Sequence, residues 1–403
     1  MLNLENYSYE LPEDKIAFYP LKSREQSKLL VYKNRQISES IFKDIQNFLP
    51  YDSILIFNNT RVVRARLIFH KETGAKIEIF CLEPAEGLSN IGKSLNQQRS
   101  VKWQCLVGNA SKWKSGRLQT EITVNGEKIN ITAQRNEAGT EYSEVEFSWL
   151  PEDFTFGDIL TSLGKIPLPP YIKREDEEED ALRYQTVYAD VNGSVAAPTS
   201  GLHFTDAVIN RIKEKNIEIL PVTLHIGAGT FKPIGGNDIT KHEMHPEFFS
   251  VSKEVIESII NRGERQVIST GTTTMRTLES LYYAGLEILN GKAKENYFFI
   301  EQWIPYNQSG EKIPAETAFK AIREYMLENE LESLNGETRI IIVPGYEFKV
   351  VDALITNFHQ PGSTLLLLVA AFIGEDWKKV YEYAINNNFR FLSYGDGSLL
   401  FKN

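Results

Sequence analysis

The chain has 403 residues, 42% of them hydrophobic and 24% charged, and a formal net charge of −10. This is the make-up of an ordinary soluble globular protein, with room for two or three domains of roughly 100–200 residues each. The acidic total argues against nonspecific attachment to nucleic acid and leaves a local basic patch as the only electrostatic route to such a partner.

In chain order, residues 1 to 61 are mixed in character. Ser53 to Phe57 (Ser-Ile-Leu-Ile-Phe) reads as a buried strand that ends in the polar turn Asn58-Asn59-Thr60-Arg61. Candidate strands follow at 62–70, 75–82, 101–107, 118–125, 127–133 and 141–148, several alternating apolar with polar residues. Asn125-Gly126 between two of them is a hairpin signal, and 86–100 reads as a surface loop. From about Pro151 helices and strands alternate. Thr205 caps a helix to Lys215, 217–224 is a strand, Ser252 caps a helix to Asn261, 266–270 is a strand, and a helix runs from Thr273 to Leu289. Later strands are expected at 297–301, 338–343, 351–356 and 388–392, with helices near 316–328, 364–373 and 376–386. The expected fold is α/β: a main domain with a mixed sheet (1–61 and 150–403) and an inserted antiparallel β-barrel domain (62–149).

Cys81 and Cys105 form no metal or redox motif, and so few thiols fit a reducing cytoplasm. The N-terminus lacks the basic head and apolar run of a signal peptide. The longest apolar run, Leu365 to Ile373, is too short to span a bilayer and reads as a buried helix, so no membrane association is expected. The proline stretch 166–171 and the charge run 173–180 read as a solvated linker or flap.

Five loops carry polar chemistry. Gly193 to Thr205 holds Ser194, Thr199, Ser200 and His203 among small residues that let a ligand approach the main chain; a tight buried connection is the alternative. His225-Ile-Gly227-Ala-Gly229 follows a strand, but it has neither the third glycine nor the helix of a dinucleotide fingerprint. A ligand-lining turn at a strand's carboxyl end remains open there. Ser269 to Arg276 opens a helix with hydroxyls and free N–H groups suited to an anion; a hydroxyl-rich cap with a surface arginine is the other reading. Thr356 to Thr364, with His359, and Phe391 to Ser398, with Tyr394 and Asp396, also follow expected strands. His242-Glu-Met-His245 lacks a third ligand in register and reads as a polar loop, so no metal is expected. Together these loops describe the rim of an enzyme site, without a nucleophilic triad, P-loop or metal cage.

The chain resembles the S-adenosylmethionine:tRNA ribosyltransferase-isomerase family of queuosine biosynthesis. The resemblance is carried by Tyr9–Glu13, Phe57–Val62, Thr73–Glu78, Ile166–Ile172, Arg183–Tyr188, Gly193–Thr205, Val222–Pro233, Gly271–Ser280, Thr356–Leu367 and Phe391–Asp396, in family order. It implies an α/β domain with an inserted β-barrel, S-adenosylmethionine as co-substrate without a prosthetic group, and a tRNA with a queuosine-type anticodon as partner. The implied reaction moves and isomerises the ribosyl group onto 7-aminomethyl-7-deazaguanine at the wobble position, giving epoxyqueuosine-tRNA and releasing adenine and methionine. A cytoplasmic monomer is expected. On this basis His203, His225, His359 and Asp396 are the candidate catalytic groups, with His203 or His225 favoured for proton transfer. Thr199, Ser200, Gly227, Gly229, Thr272, Thr273, Arg276 and Tyr394 are the candidate substrate contacts, Arg276 with its threonine loop meeting a ligand anion. Arg61, Arg64 and Arg66 are the candidate RNA contacts, against the alternative of a solvated strand face. The chain departs from the family pattern at Asn59, at Gln360-Pro361-Gly362-Ser363 in place of Leu-Pro-Lys-Ser, and at Gly397-Ser398, and has an extra stretch at 301–337. A divergent paralogue with another acceptor, or a catalytically silent tRNA-binding protein, are the alternatives these departures keep open.

Overall fold

The computed structural model describes residues 4–124, 126–138, 142–227, 238–293, 296–307 and 312–403. Its largest unit is a ten-stranded mixed sheet. Across the sheet the strands run Tyr297–Ile300, Ser333–Thr338, Glu247–Ser252, Glu218–His225, Ile54–Asn58, Val267–Thr270, Ala353–Asn357, Gly397–Phe401, Lys28–Lys33 and Gln36–Ile41. Ile54–Asn58 lies at the centre and pairs in parallel with Glu218–His225 on one side and Val267–Thr270 on the other. Val267–Thr270 pairs in parallel with Ala353–Asn357.

Both faces of this sheet are covered, which is why its central strands read as continuous apolar runs. Ile54, Ile56, Val267 and Leu354 pack on one face with helices Lys253–Ile260, Thr272–Leu289, Ala315–Glu328 and Thr364–Ile373. The alternate residues Leu55, Ile268 and Ile355 face the opposite layer, where Val208 and Ile212 of helix Asp206–Lys213 meet Phe42 and Ile45. Thr205 caps that helix, its Oγ1 accepting from Val208 N at 3.3 Å.

A second, six-stranded antiparallel sheet runs Arg66–His70, Lys76–Pro84, Ser100–Gly108, Ser143–Leu150, Glu127–Ala138 and Arg117–Val124, and its two edge strands approach each other to make a nearly closed barrel. It encloses a core of its own around Trp103, Phe147 and Trp149, onto which Phe156 of helix Phe156–Leu163 packs. A short parallel pair, Thr60–Val62 with Val191–Ser194, adjoins the sheets.

Several expectations need correction. The 86–100 stretch is more than a surface loop: it holds helix Ile91–Leu95, whose Ile91 and Leu95 join the barrel core. The strand expected at 338–343 is instead Ser333–Thr338, and Ile340–Val343 is buried without joining the ladder. The segment 388–392 forms no strand; Phe389 and Phe391 bury against Phe358, and the strand is Gly397–Phe401. The charge run ends in a buried anchor rather than a solvated loop. Asp180 takes both Arg174 guanidinium nitrogens at 2.6 and 2.7 Å and the Tyr394 hydroxyl at 2.7 Å. The 301–337 stretch is integral, supplying Ala315–Glu328, which packs on Thr272–Leu289, and the strand Ser333–Thr338. Among the described residues no helix is long and apolar enough to cross a membrane.

Candidate active site

Three neighbouring parallel strands end at Asn58, Thr270 and Asn357, and all three residues line one cavity of about 430 Å3. Open α/β sheets bind ligands at the carboxyl ends of their strands, and this volume lies within the range of about 300–1,000 Å3 typical of small-molecule pockets. The wall is completed by Thr199 and Ser200 from one loop, by Thr272, Thr273 and Thr274 at a helix N-terminus, and by Phe358 and His359 beyond the last of the three strands. Tyr171, from the proline stretch, and Tyr184, just beyond the charge run, add aromatic surface.

The polar atoms of this wall are unequally satisfied. Asn58 is consumed by the fold: its Oδ1 accepts from Thr60 N and Leu224 N, and its Nδ2 donates to Leu224 O. Asn357 spends both amide donors, on His203 Nε2 and on Leu392 O, each at 3.2 Å, and its Oδ1 is buried without a partner among the described residues. The hydroxyls of Thr270 and Thr274 are likewise buried without a partner among the described residues. A buried polar group without a partner costs about 1–3 kcal/mol, so three of them in residues that line one cavity are a local concentration of unmet hydrogen-bonding capacity.

His359 is the one candidate catalytic group that lines the cavity. Its Nε2 meets Thr356 Oγ1 at 2.9 Å, which leaves Nδ1 for a ligand. Burial pushes it down from 6.5 to about 3, so the imidazole is neutral. Its main chain is held too, the amide by the Tyr381 hydroxyl oxygen and the carbonyl by the Tyr9 hydroxyl.

The other catalytic candidates stand behind the wall. His203 stacks on Phe42 at 4.8 Å; its Nε2 accepts from Asn357, so Nδ1 carries the proton and donates to Ser27 Oγ at 2.8 Å. Burial, reinforced by Arg390 and Arg24, pushes it down to about 3. His225 stacks on Phe248, with Nδ1 3.1 Å from Thr60 Oγ1, and burial pushes it down to about 4. Gly193, at φ 152°, lets the main chain pass the His225 ring, where a Cβ would lie 2.5 Å from Cε1. Asp396 is a brace: it accepts from Lys28 N and Arg390 N at 3.0 and 2.8 Å and pairs with the Arg390 guanidinium at 3.4 Å. These residues hold the loops that form the wall rather than face into it.

Of the substrate candidates, Thr199, Ser200, Thr272 and Thr273 line the cavity. Tyr394 is turned away, donating to Asp180. Arg276 is corrected outright: it is buried in an ion pair with Glu247 at 2.8 Å, and its Nε donates to Ile340 O. One helical turn beyond the threonines, its side chain points into the protein, so the anion-binding capacity of this loop lies in its hydroxyls and N–H groups alone. Gly227 follows the lining residue Ile226 without itself lining the cavity, and Gly229 falls outside the described residues. Among the RNA candidates, Arg61 donates to Ala189 O and Arg64 to Thr161 O. Arg66 is paired with Glu78 at 2.8 Å and lies 4.0 Å from Asp176, so its charge is answered within the protein. Asn357, Thr270, Thr274 and Ser393 also line the wall without having been named as candidates; Asn357 and Thr270 end strands, Thr274 lies in the first turn of helix Thr272–Leu289, and Ser393 lies in the loop before Gly397–Phe401.

The profile of a family described as "Queuosine biosynthesis protein" matches residues 4–400. The chain belongs to this family. It is 37% identical over 406 residues to the S-adenosylmethionine:tRNA ribosyltransferase-isomerase of Halothermothrix orenii, covering 99% of this chain and 100% of the relative. It is 36% identical over 405 residues to the enzyme of the same name from Sulfurihydrogenibium sp., again covering 99% and 100%. A solved S-adenosylmethionine tRNA ribosyltransferase from Thermotoga maritima is 27% identical, covers 98% of this chain and 99% of that one, and superposes with a TM-score of 0.46.

Of the departures from the family pattern, Gln360 lines the cavity, whereas Asn59, Gly362 and Gly397-Ser398 fall outside its wall. Asn59 Oδ1 accepts from Thr223 Oγ1 at 2.8 Å, and Gly362 donates its N–H to Tyr7 O at 3.0 Å. Ser398, on the interior strand Gly397–Phe401, donates to Thr356 O of the neighbouring strand. None of the three lines the cavity.

Proposed function

We propose that this chain transfers and isomerises the ribosyl group of S-adenosylmethionine onto 7-aminomethyl-7-deazaguanine at the wobble position of tRNA, yielding epoxyqueuosine-tRNA, adenine and methionine. The observation that carries the reading is the cavity at the ends of three parallel strands, in a chain that matches its family from end to end. The cavity offers what the co-substrate needs. Tyr171, Tyr184 and Phe358 give aromatic faces for a sulfonium and a purine. The N–H groups and hydroxyls at Thr272 and Thr273 suit the methionine carboxylate.

The sulfonium acidifies the adjacent ribose carbon, and a positioned base starts the reaction there. In this reading His359 Nδ1 takes that proton. It enters neutral, with its lone pair free, and the arriving carboxylate stabilises the imidazolium that forms. Asn357 Oδ1 and the hydroxyls of Thr270 and Thr274 orient the nucleosides, and His203 acts as a positioning residue through Asn357. The same reading takes the protein as a cytoplasmic monomer whose barrel, residues 62–149, is inserted into a body formed by 1–61 and 150–403.

The test is adenine release from S-adenosylmethionine with and without tRNA carrying the aminomethyl-deazaguanine precursor. Release that depends on the precursor tRNA supports the proposal. Release only with another acceptor, or RNA binding without release, overturns it.

A further inference from the structure

Beside the cavity lies a second, much smaller cleft of about 20 Å3, and Ser393 lines both. Three guanidinium groups border it, those of Arg24, Arg183 and Arg390. In a protein of net charge −10, such convergence is out of keeping with the whole.

Each of the three is fixed by main-chain carbonyls. Arg24 donates to Gln185 O at 2.8 Å and Leu182 O at 3.1 Å. Arg183 donates to Leu21 O and Lys22 O, and Arg390 donates to Tyr19 O. Carboxylates answer two of the charges: Glu179 lies 3.1 Å from Arg183, and Asp396 lies 3.4 Å from Arg390. No ion pair answers Arg24 among the described residues. Burial and the neighbouring Arg183 both push its pKa below the usual guanidinium value. The cleft therefore holds a preorganised positive charge in surplus, with donors to spare on each planar fork.

The size of the cleft restricts its ligand. A space of about 20 Å3 admits one oxygen atom or a water and excludes a base or a sugar. Its rim adds a second observation. Tyr19, adjacent to the lining residue Pro20, is 54% exposed, and its ring is backed by the Arg174 guanidinium at 4.3 Å. A braced, exposed aromatic ring beside arginines is the arrangement that stacks an unpaired base while its phosphate is held.

We infer that the cleft of Arg24, Arg183 and Arg390 receives a phosphodiester oxygen of a single-stranded RNA segment, with Tyr19 stacking a base beside the nucleoside that enters the cavity. This rests on the reading of the cavity as a site for an RNA nucleoside. It places the RNA backbone on the Ser393 side of the cavity rather than along Arg61, Arg64 and Arg66.

The test uses the full chain and measures binding of an anticodon stem-loop RNA at several salt concentrations, with S-adenosylmethionine binding measured separately. For Arg24→Gln the expected result is roughly tenfold weaker RNA binding and a salt slope shallower by about 0.7, with S-adenosylmethionine affinity unchanged. Arg24→Lys keeps the charge and most of the slope. Tyr19→Ala, a surface change that does not threaten the fold, weakens RNA binding by at least about fivefold with the salt slope intact. Unchanged RNA affinity in both Arg24→Gln and Tyr19→Ala overturns the inference. So does a loss confined to S-adenosylmethionine, which would make the cleft the methionine carboxylate site. If the wild-type chain binds the RNA but releases no adenine, the proposed reaction fails, while the binding comparison still decides the cleft.

Discussion

Lowering the pH from 7.5 to 5 removes stability through His203 in a way that can be isolated. In the folded chain this ring is buried, stacked on Phe42 and pushed down to about 3, against 6.5 in the unfolded chain. A group whose folded value is depressed contributes stability that is fully present above its unfolded value and is lost as pH falls, because the unfolded state then binds the extra proton. Between pH 7.5 and 5 that loss is about 2 kcal/mol for one histidine, since each pH unit below 6.5 costs about 1.4 kcal/mol. Burial likewise depresses His225 and His359, whereas it raises the carboxyls of Glu247 and Glu279 and so gives contributions of opposite sign. Total stability against pH is therefore not diagnostic, but the difference between wild type and His203→Gln is. Urea unfolding followed by circular dichroism at each pH yields it. The variant starts less stable at pH 7.5, and the gap should close by about 2 kcal/mol at pH 5. Parallel profiles for the two proteins would refute a neutral, buried His203.

His359→Ala should lower turnover by about 10²- to 10⁴-fold with little change in melting temperature, because its main-chain bonds survive; steady-state adenine release and a thermal melt check both. Gly201→Ala puts a Cβ 2.1 Å from the Tyr188 hydroxyl oxygen and 2.7 Å from Thr186 Cγ2, and should cost about 1–3 kcal/mol in urea unfolding. Glu279→Ala removes the acceptor of the Tyr346 hydroxyl and of the N–H groups of Lys349, Val350 and Val351. Roughly 3 kcal/mol or more should be lost, with the 346–351 segment the first to lose hydrogen-exchange protection.

Where burial alone dictates a residue, the sequence was readable. Ile54-Leu55-Ile56 is apolar because both sheet faces are covered, and the barrel strands alternate because one face is wet. The hairpin Lys28–Lys33 with Gln36–Ile41 escaped notice because its turn is made by Asn34 and Arg35, at φ 53° and 62°, without the glycine that usually marks such a turn. The apolar run 340–343 and the alternating stretch 388–392 read as strands because burial and ladder pairing leave the same pattern. At the site, residue type pointed to loops that border the cavity and in several cases to side chains that do not line it. Which residue at a strand end faces the cavity depends on a register of one residue, and a single step turns a lining group into a brace. His203 and Asp396 stand on the bracing side, and Asn357 and Thr270 on the lining side.

That division is itself testable through Asn357. Its amide can lie only one way, since Leu392 O accepts and His203 Nε2 must then accept too, so Oδ1 is turned away from both. Asn357→Asp replaces the donor with an acceptor facing two acceptors. The substitution should destabilise the fold at pH 7.5, but His203 can relieve the clash by taking a proton and pairing with the new carboxylate. Its folded value then rises, and the acid loss of about 2 kcal/mol worked out for His203 should shrink or reverse. Asn357→Leu, of similar volume, cannot do this and should keep the wild-type slope. Identical pH slopes for the Asp and Leu variants would show that His203 does not depend on this amide, and the chain of bonds from Ser27 through His203 to the cavity wall would lose its physical basis.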